Sequence, residues 1–180
     1  MKNQFTIASA YQWLNCDGNN SEKAIKYIAQ IIKDRFTKNE NGKFNYNINY
    51  RKLRASAGRT MLESIFKRII DSQVVIIDLS ENNPNVFLEA GMALAIEKNN
   101  AYLSVYFIRE QKDELKLPQG IPSDLQGYFI SEYIVNAKGE VTFKDNGSLR
   151  MSIESDVKDY FNAMERTFNQ IDEINEDNEK

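Results

Sequence analysis

Val74-Val75-Ile76-Ile77-Asp78-Leu79-Ser80, then Glu81-Asn82, then Asn83-Pro84-Asn85-Val86-Phe87-Leu88-Glu89-Ala90-Gly91-Met92-Ala93-Leu94-Ala95-Ile96: this stretch decides the fold. Four β-branched apolar residues in a row, with no polar alternation, predict a strand at residues 74–77 covered on both faces, as strands of parallel sheets are. Asp78 ends it. Residues 80–85 hold three Asn and Pro84 and read as a loop. Residues 86–98 read as a helix that is apolar nearly all round, which predicts a buried element.

Working outward, the same alternation of strand and helix recurs. Residues 5–8 read as a first strand and 9–20 as a loop, with turn residues Asn15, Asp17, Gly18, Asn19 and Asn20. Ser21 is placed to cap a helix in which Ile25, Ile28, Ala29, Ile32 and Phe36 recur at spacings of three and four. Residues 44–50 alternate strictly, Phe44, Tyr46, Ile48 and Tyr50 against Asn45, Asn47 and Asn49, the pattern of an edge or half-buried strand. A basic loop, 51–59, leads to Thr60, which opens a helix carrying Met61, Leu62, Ile65 and Ile69. Further strands are expected at 103–108 and 127–135, the latter turned back by Ala137-Lys138-Gly139 into 141–143. In the last helix Leu149, Ile153, Val157, Tyr160, Met164, Phe168 and Ile171 form one stripe. Helices between strands imply a parallel sheet covered on both faces. The expected fold is therefore α/β and flavodoxin-like: three layers, about five parallel strands in the order 2-1-3-4-5, and a long C-terminal helix. That order puts the Asn-rich strand at an edge. Residues 1–174 read as one domain and 175–180 as an acidic, disordered tail.

Composition narrows the chemistry. The chain has 180 residues and a net charge of −3; residues 172–180 carry −4, so the other 171 stand at +1. A near-neutral body argues against a nucleic-acid partner. There is no histidine, which excludes Ser-His-Asp triads, Cys-His dyads and His-ligated metals. The single cysteine, Cys16, excludes an internal disulfide framework, and with no histidine to activate it the thiol reads as a bystander. No leader segment and no run of 18 apolar residues is visible, so a cytoplasmic protein without a membrane partner is expected. No GxGxxG and no GxxxxGK[ST] occurs, so ordinary Rossmann binding and P-loop hydrolysis lack support.

Acid–base work falls to Asp, Glu, Tyr, Lys or Cys. Glu89 is the only charge between Val86 and Ile96, and burial there raises a carboxyl pKa. Three residues before it stands Val86, which cannot complete a capping box, so reciprocal capping does not explain the acid. Gly91 reads either as close helix–sheet packing or as space for a ligand. The loop holding Arg54, Gly58 and Arg59 leads into a helix N-terminus and reads either as a phosphate cradle or as a solvated basic loop. Tyr11 and Trp13, just past the first strand, suit stacking on a base or ribose as well as they suit the core. Ser9 is a candidate hydroxyl contact beside them.

The segment 76–95 resembles the hallmark of TIR-like and nucleoside 2-deoxyribosyltransferase-like domains: hydrophobic-Asp-hydrophobic-Ser/Thr, then Asn-Pro-Asn-Val-aromatic-aromatic-Glu-Leu-Gly-x-Ala. Pro122-Ser123-Asp124-Leu125-Gln126-Gly127-Tyr128 is similar to a second, weaker family segment. Two departures stand out: Leu88 replaces a common tyrosine and Ala90 a common leucine. The resemblance implies cleavage or exchange of an N-glycosidic bond in a nucleotide or nucleoside. Glu89 matches the family's catalytic carboxylate and Asp78 an acid of the substrate pocket. Ser80, Asn83 and Asn85 would then shape the pocket, while Arg54, Arg59 and the backbone at Gly58 hold phosphate. Nicotinamide leaves NAD as a neutral molecule and needs no proton donor, which suits a chain without histidine. NAD is thus expected as substrate rather than as a resident cofactor, and no metal is expected. The resemblance also implies a homo-oligomer and a role in signalling or anti-phage defence. Alternatives are deoxyribosyl transfer, or a non-catalytic nucleotide sensor or self-associating module.

Overall fold

The unbroken apolar run at residues 74–77 lies in the middle of a six-stranded sheet, with strands paired to both of its edges. The structure is a computed structural model describing residues 4–12, 19–37, 46–53, 60–111, 125 and 127–178. In chain order the elements are β1 (Gln4–Ala10), α1 (Asn20–Thr37), β2 (Asn47–Lys52), α2 (Met61–Ile70), β3 (Val74–Asp78), α3 (Pro84–Glu97), β4 (Ser104–Glu110), β5 (Ile130–Val135), β6 (Val141–Phe143) and α4 (Ser148–Asn178). The sheet runs β2-β1-β3-β4-β5-β6. The first five strands are parallel, and β6 pairs antiparallel with β5 as the hairpin around Gly139. The Asn-rich strand sits at the edge, as its polar face requires.

Strand alternation divides the apolar residues between two cores. Val74 and Ile76 of β3 and Phe5 and Ile7 of β1 point to one face, where Ile25, Ile28 and Ile32 of α1 and Ile153, Val157 and Phe161 of α4 cover them. Val75, Ile77, Ala8 and Ala10 point to the other, against Ile65 and Ile69 of α2 and Val86, Ala90 and Ala93 of α3. Each large side chain so buried contributes about 1.5–3 kcal/mol. Tyr46 lies flat on Phe161 at 3.7 Å between centroids, tying the start of β2 to α4.

Three local expectations change. Ser21 lies inside α1, and it is Asn19 whose side-chain oxygen accepts the Ser21 N–H at the start of the helix. An amide oxygen one residue before the helix reaches the free N–H groups that a residue within it cannot. The last helix runs on to Asn178, past the expected end of the domain at 174, because no Gly or Pro interrupts it and Glu favours helix. Most consequential is α3. Only Val86, Ala90 and Ala93 are buried along it, while Leu88 is 53% exposed. A helix lying on the outside of a sheet buries one stripe whatever its composition, so an all-round apolar sequence leaves apolar residues in the open.

Thr60 opens α2, as expected, and caps it through a reciprocal capping box with Glu63. No helix among the described residues is long and apolar enough to cross a membrane.

Candidate functional site

β1 and β3 are adjacent, yet α1, which follows β1, packs on one face and α3, which follows β3, on the other. The chain therefore diverges at the carboxyl ends of these two strands, the position where open α/β sheets form a crevice. Ser9 and Tyr11, Lys52 and Leu53, and the turn 79–83 all arrive there.

The turn after β3 is held from below. Asp78 is 3% exposed; its carboxylate accepts hydrogen bonds from the Ser80 N–H at 2.8 Å, from the Ser80 hydroxyl, and from the Tyr133 hydroxyl at 2.6 Å. Ser80 Oγ in turn accepts the Glu110 N–H at 2.6 Å, and the Glu110 carboxylate accepts Asn20 Nδ2 at 2.6 Å. Four elements, β3, β4, β5 and the start of α1, are thus tied at one point. Burial pushes the Asp78 carboxyl above the usual carboxylate range, and the Ser80 and Tyr133 hydrogen bonds pull against it. Burial also raises the Tyr133 phenol, helped by the adjacent Asp78 charge.

A second polar chain lies beside β1. Ser9 Oγ and Tyr50 Oη are 2.9 Å apart. Tyr11 donates to Glu22 Oε2 at 2.9 Å, and Glu22 also pairs with Lys52 at 2.8 Å and with Lys26. Lys52 Nζ stands 5.5 Å from the centre of the Tyr11 ring. Lys26, then Lys52, hold the Glu22 carboxyl at about 2. Burial pushes the Tyr11 phenol upward.

Glu89 differs from both groups. It lies six residues beyond the N-cap, Asn83, so no acid occupies the first turn of α3 and helix-end stabilisation does not explain it. It has no hydrogen-bond or ion-pair partner among the described residues, and burial alone pushes its carboxyl up to about 7. Gly91 is exposed, and a Cβ there would meet nothing within 4 Å, so close packing on the sheet does not account for this glycine. The surface half a turn beyond Glu89 is open.

Set against the residues singled out from sequence, the structure separates two kinds. Ser9, Tyr11, Asp78 and Ser80 are gathered at the carboxyl ends of the strands, but their polar atoms engage protein. Ser9 is fully buried and Tyr11 is 3% exposed within the α1–α4 core, so the Tyr11 ring is a packing element and not a stacking platform. Asp78 and Ser80 bond the turn itself. Asn83 caps α3, accepting the Asn85 N–H at 2.8 Å, and follows Asn82, which takes the left-handed conformation (φ 43°) that Asn tolerates. Asn85 is exposed. Trp13, Arg54, Gly58 and Arg59 lie outside the described residues. Removing the cap in Asn83→Ala is expected to cost about 1 kcal/mol, read as a lower denaturation midpoint at unchanged slope.

Tyr133, Glu110, Tyr50 and Glu22 escaped the sequence reading. Tyr133 stands beside Glu110 in the β4–β5 register, two residues beyond the level of Asp78. Only the strand order brings it there. No group of three or more Cys, Asp or Glu among the described residues could hold a metal ion. No protein-family model, no curated protein and no solved structure matches the chain.

Proposed function

We propose that the protein cleaves an N-glycosidic bond in a nucleotide, with NAD as substrate and Glu89 as the catalytic carboxylate. The observation that carries this reading is Glu89 itself: a half-buried acid without a partner among the described residues, on the helix that leaves the central strand of the sheet. The strand order 2-1-3-4-5 is that of flavodoxin-like sheets and supports the assignment, as does the 76–95 segment that resembles TIR-like domains.

The bond between the ribose C1′ and the pyridinium nitrogen breaks through an oxocarbenium-like state. Its electron pair stays on nitrogen, so nicotinamide departs neutral. The Glu89 carboxylate stabilises the developing cation or bonds to C1′. Water then adds at C1′, leaving ADP-ribose and one proton. Asp78, Ser80, Ser9 and Tyr11 act on this reading as positioning residues that fix the two turns. Arg54 and Arg59, with the Gly58 backbone, take the phosphates. The protein works as a cytoplasmic homo-oligomer.

The carboxylate must be ionised to act. In the free protein it ionises at about 7, so kcat/KM is expected to rise with pH through that value. With the pyridinium cation bound beside it the carboxyl loses protons more readily, so kcat is expected to rise at a lower pH than kcat/KM. The reading is tested by incubating the protein, dilute and concentrated, with NAD and separately with deoxynucleosides, and separating products by chromatography with mass detection. Nicotinamide release supports it. Free nucleobase from a deoxynucleoside, with NAD intact, replaces it by the transferase reading.

A further inference from the structure

On the α1 side of the sheet, an open groove of about 1000 Å³ lies between α1, the edge strand β2 and the β5–β6 turn. Ile48 and Tyr50 of β2 and Val141 give it an apolar lining, and Lys23, Lys26 and Lys33 of α1 give it a basic one. Its volume is that of a small-molecule site. The groove owes its shape to the turn: Gly139 takes φ +81°, and Lys23 Nζ comes within 3.8 Å of where its Cβ would stand.

The three lysines are not equivalent. Lys26 is neutralised by Glu22, whereas Lys23 and Lys33 have no ion pair among the described residues. Among the described residues Glu140 is the one acid lining the groove; its carboxylate accepts a hydrogen bond from Asn136 Nδ2 at 2.6 Å and keeps its charge, so the lining as a whole remains basic. Two cations without an ion pair among the described residues thus lie ten residues apart, about 15 Å along the helix axis. Between them Tyr27 is 45% exposed, one helical turn from Lys23. Gln30 and Asn49 add amide donors and acceptors within the same groove.

We propose that this groove binds a nucleoside di- or triphosphate, with the base on the Tyr27 ring and the phosphates on the lysine rim. An aromatic platform beside cations is what a base joined to phosphates requires, and the amides suit a base edge. A polynucleotide is disfavoured because the chain as a whole is slightly acidic. Glu89 lies on a helix of the opposite face, so this site stands whether or not the NAD-cleaving reading does.

The test is calorimetric titration of the full chain with ADP and, separately, with inorganic pyrophosphate. ADP is expected to saturate a site that the groove substitutions weaken, with affinity falling as salt is raised. The double substitution Lys23→Glu with Lys33→Glu is expected to weaken ADP about tenfold or more, and Lys23→Arg with Lys33→Arg to retain it. Tyr27→Ala is expected to weaken ADP about tenfold and to leave pyrophosphate unchanged. Absence of saturable ADP binding overturns the proposal, as does binding indifferent to the lysine reversals. Equal affinity for ADP and pyrophosphate, unmoved by Tyr27→Ala, reduces the groove to a cation patch and overturns it too.

Discussion

Glu89→Gln is expected to lower nicotinamide release from NAD by about a thousandfold, the scale seen when charge stabilisation at a developing transition state is removed. The same substitution is expected to make the protein more stable at alkaline pH. Folding raises this carboxyl from 4.5 to about 7 by burial alone. Below the lower value the group is protonated folded or unfolded and costs nothing. Stability falls as pH rises between the two, and above the upper value the full cost of the buried charge is present. At about 1.4 kcal/mol per unit, and discounted for the exposed part of the side chain, that cost is about 2 kcal/mol. Thermal melts of the two proteins should therefore coincide near pH 4, with the variant higher by roughly 5 °C at pH 8. On the proposed function, a carboxylate that destabilises the fold while serving turnover is the expected trade at a functional site.

The second large effect concerns the buried knot under the β3–α3 turn. Asp78→Ala is expected to cost about 3 kcal/mol, because it leaves the Tyr133 hydroxyl and the Ser80 N–H without their shared acceptor in a dry site. Tyr133→Phe is expected to cost about 2 kcal/mol by withdrawing one donor from a buried carboxylate. The two changes remove one shared interaction, so the double variant should cost about 1–2 kcal/mol less than the two single costs combined. Denaturant unfolding of the four proteins measures this directly, and strict additivity would show that the bond contributes nothing. Burial raises the Asp78 carboxyl, so its charged form costs stability from the ordinary aspartate range upward, and Tyr133→Phe should steepen that loss.

How much of this was legible beforehand depends on how local the signal is. The run at 74–77 announces a strand covered on both faces, and the spacing of Ile153, Val157 and Phe161 announces a helix against a core; both are properties of a few neighbouring residues. Gly139 marks the β5–β6 turn for the same reason. What the sequence conceals is contact between distant segments. Tyr133 and Asp78 are 55 residues apart and meet only because β4 lies between their strands. The burial of Tyr11 follows from Glu22 and Lys52 closing over it, which no local pattern encodes. For α3 the failure is of another kind: residues apolar on every side carry no information about which side faces the sheet. Glu89 was found because the one charge between Val86 and Ile96 is conspicuous, and its lack of a partner among the described residues is what distinguishes it from Asp78.

The most direct test of the central claim is the initial rate of nicotinamide release from NAD by the unaltered chain and by Glu89→Gln, followed from pH 5 to pH 9. The kcat/KM of the unaltered chain is expected to rise through about 7 and level off, while the variant stays near background at every pH. A variant that binds NAD and releases nicotinamide at the full rate, with the same pH profile, would contradict the claim.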